Sequence, residues 1–382
     1  MKIPIAKPYL TEDEAQNAYD TILSGWVTQG PRVEEFEEKF AAHVGSKYAV
    51  AVSSCTTALH LSFIVSGIGP GDEVICPSMS FIATANAIKH AGAIPVFGEV
   101  NSEYNLDAVH SESLINEKTK AILLVHQIGM PADIDAFKSL CEEYNLILIE
   151  DAACAIGSSY KENQIGSHSD LVCFSFHPRK VITTGDGGMI TTSNKAYCDR
   201  LKLLRHHGMS LSDRERHLSK KVVREEYLEV GYNYRLTDIQ ASIGIKQLEK
   251  LDWMIEERKK IASRYNEALK DIEYVKLPLE KEGYSSNYQS YCITLRDSCP
   301  ISRNDLMERL LEKEISTRRG IMLAHLEPAY KEDYAEIKLP VSEQISDSGV
   351  LLPLYVGMKD EEITYVIEEV IQALTAQQVS RG

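Results

Sequence analysis

Short apolar runs alternate with longer amphipathic stretches through the first half of the chain. Residues 73–77 (EVICP), 93–100 (AIPVFGEV), 120–128 (KAILLVHQI), 146–151 (LILIED) and 171–174 (LVCF) are rich enough in Val, Ile, Leu and Phe to be strands buried on both faces. Between them, residues 82–92, a stretch around 107–115 and residues 133–145 carry apolar positions at helical spacing. Strand and helix in regular alternation predict a mostly parallel sheet covered by helices, because parallel neighbours are joined by right-handed crossovers. Ahead of this unit, Thr11 with Glu14 three residues on forms a capping box that starts a helix ending near Ser24 and Gly25. The irregular segment 25–32 (GWVTQGPR) then leads into a second helix, 32–45, stopped by Gly45. Behind the alternating unit, residues 195–208 read as a helix, another starts at Thr237 with Gln240 at its third position, and a long charged helix runs to about Lys270. The remainder mixes a strand at 288–295 with helices at 302–314 and 360–374, and the last residues, 377–382 (QQVSRG), should fray. This predicts an α/β chain with a large domain over 1–250 and a smaller α+β carboxy-terminal domain over 251–382.

Composition narrows the function. At 382 residues and 44% hydrophobic content, the chain can bury a sizeable core. A formal net charge of −15 disfavours nucleic acid as a partner, and no helix-turn-helix or zinc-finger pattern offsets it. No apolar run approaches the roughly eighteen residues that span a membrane. The start, MKIPIAKPYLTEDE, lacks the order of a secretory signal, so a cytoplasmic protein without a membrane partner is expected. The eight cysteines form no C-x-x-C pair and no cluster with metal-ligand spacing, so free thiols and no metal site are expected. Cys55 and Cys154 stand apart because each falls inside a motif with chemistry.

That chemistry centres on residues 174–188, FSFHPRKVITTGDGG. A strand ends here and a single lysine, Lys180, follows in a short turn before the loop Gly185-Asp186-Gly187-Gly188. A lysine that forms a Schiff base must lose its proton and be held still, and an enclosed turn after a buried strand can do both. Upstream, the strand 146–151 runs into Glu150 and Asp151, which places a carboxylate where α/β sheets bind ligands. Further upstream, Ser53-Ser54-Cys55-Thr56-Thr57 opens an apolar helix whose first N–H groups suit a phosphate. A lysine for an aldehyde, a carboxylate for a pyridine nitrogen and a helix start for a phosphate together describe pyridoxal phosphate, PLP.

The motifs 25–30 (GWVTQG), 77–88 (PSMSFIATANAI), 126–135 (HQIGMPADID), 150–158 (EDAACAIGS), 174–189 (FSFHPRKVITTGDGGM), 231–244 (GYNYRLTDIQASIG) and 352–358 (LPLYVGM) follow one another along nearly the whole chain. In this order and spacing they resemble the DegT/DnrJ/EryC1/StrS family of sugar aminotransferases. The resemblance implies the aspartate-aminotransferase-like (fold type I) architecture, PLP as cofactor with pyridoxamine phosphate (PMP) as its aminated form, and a keto sugar linked to a nucleotide as substrate. It implies that Lys180 carries PLP, that Asp151 pairs with the ring nitrogen, that Phe81 stacks on the ring, and that Ser175 binds the phosphate together with Thr56 and Thr57. Cys154 stands where relatives carry a glutamine, a histidine or another polar residue near the ring oxygen, and it is a weak hydrogen-bond donor. Asn233 is implied to reach the phosphate bound by a second subunit, which makes the working unit a homodimer with shared active sites. Arg235 is a candidate for a substrate carboxylate. Trp26 reads either as a core anchor or, with Thr28, as a sugar contact. Arg318, Arg319 and His325 border a loop that could close over the sugar.

Residues 209–230 concentrate Arg214, Arg216, Lys220, Lys221 and Arg224, either a solvated face or a reach toward a neighbouring subunit. The expected reaction moves an amino group from L-glutamate to a keto sugar, with a nucleotide-linked 4-keto-6-deoxyhexose as the leading candidate. The product would serve amino-sugar biosynthesis for a surface polysaccharide or glycoconjugate. A 3-keto sugar or a cyclitol is an alternative acceptor. A PMP-dependent sugar dehydratase is disfavoured because Lys180 is present where such relatives carry histidine. A non-catalytic PLP-binding regulator is disfavoured by the intact set Asp151, Ser175, Lys180 and Asn233.

Overall fold

In the computed structural model, residues 1–211, 222 and 224–375 are described. Arg214, Arg216, Lys220 and Lys221 of the basic stretch, and the expected frayed end at 377–382, lie outside those residues. Elements are numbered here in chain order. Helices α1 (Glu12–Leu23) and α2 (Pro31–Val44) come first, then strand β1 (Tyr48–Val52), α3 (Cys55–Val65), β2 (Glu73–Pro77), α4 (Ala83–His90), β3 (Ile94–Gly98) and α5 (Ala108–Ser113). These lead to β4 (Thr119–Val125), α6 (Ile134–Tyr144), β5 (Ile147–Asp151), the short β6 (Ser159–Tyr160) and β7 (Asn163–Gln164), β8 (Leu171–Ser175), β9 (Gly188–Thr192) and α7 (Lys195–Leu204). Both caps read from the sequence are present. Thr11 and Glu14 close the box at α1, and Gly45 ends α2 in the left-handed region at φ 71°. The same box recurs at Thr237 and Gln240, which start α8 (Asp238–Glu249), followed directly by α9 (Leu251–Leu269).

Seven strands form the main sheet in the order β1-β9-β8-β5-β4-β2-β3. All run parallel except β9, which is antiparallel to both β8 and β1. Side chains alternate across the sheet, so each central strand feeds two cores. Ile122 and Leu124 of β4 join one core with Phe36, Phe137, Ile245 and Met254, under α2, α6, α8 and α9. Ala121 and Leu123 join the other, with Leu59, Phe63, Ile88 and Leu201, under α3, α4 and α7. The apolar runs lack a polar face because helices cover both sides. The sequence reading did not include β1 or β9, whose strings YAVAV and GMITT are short and lie beside the glycine and serine turns.

The remaining strands are β10 (Val275–Lys276), β11 (Tyr284–Ser285), β12 (Tyr291–Leu295), β13 (Arg318–Arg319) and β14 (Gly349–Leu352); the helices are α10 (Arg303–Glu312), α11 (Pro340–Ser348) and α12 (Asp360–Thr375). A four-stranded antiparallel sheet, β10-β12-β14-β13, packs with α10, α12 and the second half of α9 on a separate core around Tyr265, Tyr291, Leu306 and Val366. Ile3 from the chain start belongs to that core and bridges Ile315, with Ser316 N–H donating to its carbonyl at 2.9 Å. Among the described residues no helix is long and apolar enough to cross a membrane.

One close approach ties the sheet to the start of α3. Gly188 opens β9 opposite both Val52 and Ser175, and a Cβ added there would lie 2.5 Å from the carbonyl carbon and oxygen of Ser54 and 2.7 Å from the Cys55 nitrogen. Backbone cannot yield as a flexible side chain can, so Gly188→Ala is expected to cost about 1–3 kcal/mol by overpacking. Chemical denaturation should show the lower stability, and an unchanged midpoint would mean that the α3 start moves freely.

Candidate active site

The carboxyl ends of β1, β2, β4, β5 and β8 converge on one edge of the sheet, and each delivers residues to a single cavity of about 590 Å³. Ser54, Cys55 and Thr56 follow β1, Ser80 and Phe81 follow β2, Gln127 follows β4, Asp151 ends β5 and Ser175 ends β8. The small sheet and the chain start roof it with Arg318, Arg319 and Ile5. The volume is that of a small-molecule site.

At the α3 start, Ser54 is extended (φ −166°, ψ 163°) and its hydroxyl accepts from Thr57 N–H at 3.2 Å. Thr57 returns the bond through its own hydroxyl to Ser54 N–H at 3.1 Å. The first-turn N–H groups of Cys55 and Thr56 have no intrahelical acceptor, which is what an anion needs. Thr56 lines the cavity, whereas the Thr57 hydroxyl is engaged within the cap and reaches Ser53. Ser175 lines the same wall and accepts from His177 N–H at 3.4 Å.

Asp151 is 5% exposed. Its carboxylate accepts from the Thr84 hydroxyl at 3.0 Å and from Ala153 N–H at 3.1 Å. Burial pushes its pKa up, against those two bonds and the nearby Lys180 charge. Its neighbour Glu150 points to the other face of the strand and behaves oppositely. His126 accepts Ala132 N–H on Nδ1 at 3.0 Å, so Nε2 carries the proton and donates to Glu150 at 2.8 Å. Burial works against that carboxylate, yet His126, Ser169 and His168 together outweigh it and the Glu150 pKa is lowered.

Lys180 sits in a turn closed by its own N–H on the His177 carbonyl at 2.8 Å. Its amine donates to Cys154 Sγ at 3.1 Å. Burial pulls the lysine pKa down, but Cys154, Asp151 and Cys55 together outweigh it and the pKa rises. His177 is held below its ordinary value by burial and then by Arg179. Phe81, expected to stack on a ring, is 62% exposed and lines the cavity instead of joining a core.

The cavity therefore brings together Thr56, Phe81, Asp151, Cys154, Ser175 and Lys180 of the expected residues. Others lie elsewhere. Asn233 is exposed and bridges His206, while Arg235 bridges Val52 and hydrogen-bonds the His206 ring. Trp26 donates through Nε1 to the Gln29 carbonyl at 3.1 Å, and the Thr28 carbonyl accepts from Asp238 N–H at 3.0 Å. None of these four lines the cavity. His325 is 1% exposed beneath the loop, with Nδ1 2.6 Å from the Ser78 hydroxyl. The cause is the bridge between Met79 and Leu323, which sews that loop to the end of β2 and turns the imidazole inward, while Arg318 and Arg319 remain on the cavity wall.

Thr84 and Asn287 were not singled out from the sequence. Thr84 lies three residues after Phe81, in the first turn of α4, a spacing that could have revealed it. Asn287 is fully buried and donates through Nδ2 to the carbonyls of both Cys154 and Ile156 at 2.8 Å. Nothing local marks it.

The donor set fits PLP: a buried carboxylate of raised pKa, an amine, an open helix start with hydroxyls, and an exposed aromatic face on one wall. Comparison with known proteins points the same way. A family model described as the DegT/DnrJ/EryC1/StrS aminotransferase family matches residues 8–371. The chain is 36% identical over 373 residues to the spore coat polysaccharide biosynthesis protein SpsC of Bacillus subtilis, covering 96% of each. It superposes on PseC of Helicobacter pylori, an aminotransferase involved in the biosynthesis of pseudoaminic acid, with a TM-score of 0.90, 27% identity and coverage of 98% of this chain and 99% of that one. Spr1654 of Streptococcus pneumoniae in its PMP form matches with a TM-score of 0.91, 28% identity and coverage of 97% and 98%, and a PLP form of it matches as well. This chain belongs to the DegT/DnrJ/EryC1/StrS family and is a PLP-dependent aminotransferase.

Proposed function

We propose that this aminotransferase takes its amino group from L-glutamate and delivers it to a nucleotide-linked 4-keto-6-deoxyhexose, in making amino sugars for a polysaccharide or glycoconjugate. The observation that carries the reading is the convergence of Lys180, Asp151 and the α3 start on one cavity. Sugar as the acceptor class is supported by SpsC and PseC, whose names place them in polysaccharide and pseudoaminic acid biosynthesis. Two arginines on the cavity wall, Arg179 and Arg318, make no side-chain ion pair among the described residues, and they bring positive charge to the site of an acidic chain. That suits a donor carboxylate and a nucleotide diphosphate.

PLP, once bound, supplies an electron sink for the charge left when a carbon loses its proton. The chain's residues do the rest in this reading. Asp151, oriented by Thr84 and Ala153, keeps the ring nitrogen protonated. The α3 N–H groups, with Thr56 and Ser175, hold the phosphate, and Thr57 shapes that helix start through its cap. Phe81, on the cavity wall, would flank the ring. Lys180 attaches the cofactor and, when released, moves the proton at the donor α-carbon and the sugar carbon. Asn233, exposed on the same chain, fits a contact to the phosphate held by a second copy, with Arg235 beside it for a carboxylate and Trp26 and Thr28 near the sugar. The active unit is then a homodimer acting in the cytoplasm.

Lys180→Ala should bind PLP without being labelled by borohydride reduction and should show no turnover with glutamate and a keto-sugar panel. Normal turnover would remove Lys180 from the mechanism. Asp151→Asn should keep the borohydride label but lose about 10²–10³-fold in turnover, as when a preorganised electrostatic group is removed. The same variant has a stability signature. A carboxyl whose folded pKa is raised makes the protein less stable as pH climbs from the unfolded carboxyl pKa through the raised value. Cofactor-free wild type should therefore lose melting temperature across that window relative to Asp151→Asn, and parallel melting curves against pH would contradict the burial argument.

A further inference from the structure

Cys154 is the only group that accepts a hydrogen bond from the Lys180 amine among the described residues, at 3.1 Å. Its own position is well determined. The turn after β5 is closed by Ala155 N–H on the Ala152 carbonyl at 2.9 Å and tied back to β8 by Ala152 N–H on the Cys173 carbonyl at 2.8 Å. From the other side, the buried Asn287 holds the carbonyls of Cys154 and Ile156 with one amide nitrogen. The Asn287 Oδ1 in turn accepts from Gln289 N–H at 2.8 Å, so the amide cannot rotate away cheaply. A sulfur so fixed makes a fixed partner for a long, rotamer-rich lysine.

A lysine that both attaches a cofactor and shuttles a proton must visit the amine and the ammonium in one cycle. A desolvated cavity favours the amine, so something must stabilise the ammonium within it. The groups that act on the Lys180 amine are Asp151 at the end of β5, Cys154 in the turn behind it and Cys55 at the α3 start; His177 and Arg179 of its own turn line the same cavity, with Asp186, Arg318 and Arg319. Asp151 is already engaged by Thr84 and Ala153, and its partner is the ring nitrogen in the reading above.

We propose that Cys154 is the positioning residue for Lys180, its sulfur accepting from the ammonium and holding the amine beside Asp151 whenever the lysine is not attached to the cofactor. This rests on the assignment of Lys180 as the cofactor lysine and adds a role for the thiol. The sulfur supplies an acceptor to the ammonium, so it raises the pH at which Lys180 becomes a nucleophile, in the direction in which the lysine pKa is displaced. Removing the sulfur leaves burial less opposed, and the amine then loses its proton at lower pH.

The test is the rate at which the full-length, cofactor-free protein captures added PLP as a function of pH, followed by absorbance, for wild type, Cys154→Ala and Cys154→Ser. The Ala variant should shift the midpoint of the capture profile to lower pH, whereas the Ser variant, whose hydroxyl oxygen is a stronger acceptor than a thiol sulfur, should shift it to higher pH. A merely structural cysteine would alter the melting temperature without moving that midpoint. Should Cys154→Ala fail to fold, the near-isosteric Ser variant and its direction of shift decide the matter alone. Identical midpoints in the folded variants and wild type would overturn the role of Cys154 while leaving the aminotransferase reading intact. Absence of capture by wild type would overturn the assignment of Lys180 itself, and this proposal with it.

Discussion

The structure depends first on keeping a carboxylate charged where water is nearly absent. Asp151 ends a strand covered on both faces, and burial pushes its carboxyl pKa up. The chain answers with donors of its own, Thr84 from the neighbouring helix, Ala153 from the next turn and the Cys55 thiol at 4.0 Å, and with the Lys180 amine in the same cavity. One residue earlier, the strand turns Glu150 to the opposite face, where His126 lies 2.8 Å from one carboxylate oxygen and helps to draw its pKa down against burial. Two adjacent carboxyls, one on each face, are thus pushed in opposite directions. The one left dependent on a cationic partner faces the cavity.

That cavity exists because the parallel strands end together. Five strand ends and the turns that follow them supply its floor, and α3 begins there with first-turn N–H groups that have no intrahelical acceptor. The antiparallel β9 departs from this scheme. Its first residue, Gly188, fits between the ends of β1 and β8 and packs backbone on backbone against Ser54 and Cys55. This brings the helix start and the lysine turn to adjoining walls.

The roof comes from residues far away along the chain. Ile3 adds to the core of the carboxy-terminal sheet, which lets Ile5 and Ala6 pass over the cavity, and β13 sets Arg318 and Arg319 at its mouth. Met79, Val100, Tyr104, Ile128, Cys292 and Leu323 form a small cluster that joins the end of β2 to β12 and to the loop after β13. Asn287 fastens the Cys154 turn from the same side. The chemistry is therefore enclosed between two cores, each stabilised by its own packing.

Much of this was legible in local signals. Apolar runs that lacked a polar face required a sheet covered on both sides, and Thr11, Gly45 and Thr237 marked helix ends because capping is a matter of neighbouring residues. Lys180, Asp151 and the serine-threonine turn could be picked out because each sits at a strand end, where chain direction already says which way a side chain can face a ligand. Two strands, β1 and β9, were missed because a short apolar string beside glycines carries no period of its own. His325 and Thr57 could not be oriented from the sequence. Whether a histidine lies on a loop surface or beneath it is decided by the bridge from Met79 to Leu323, between residues 244 positions apart. Whether a threonine faces a ligand or its own cap is decided by hydrogen bonds around a helix start. The pairing of Cys154 with Lys180 and its fastening by Asn287 belong wholly to the tertiary structure, because distance along the chain says nothing of distance in space once the chain has folded. The sequence by itself determined the order of elements and the kind of chemistry; packing alone decided which side chains share the cavity.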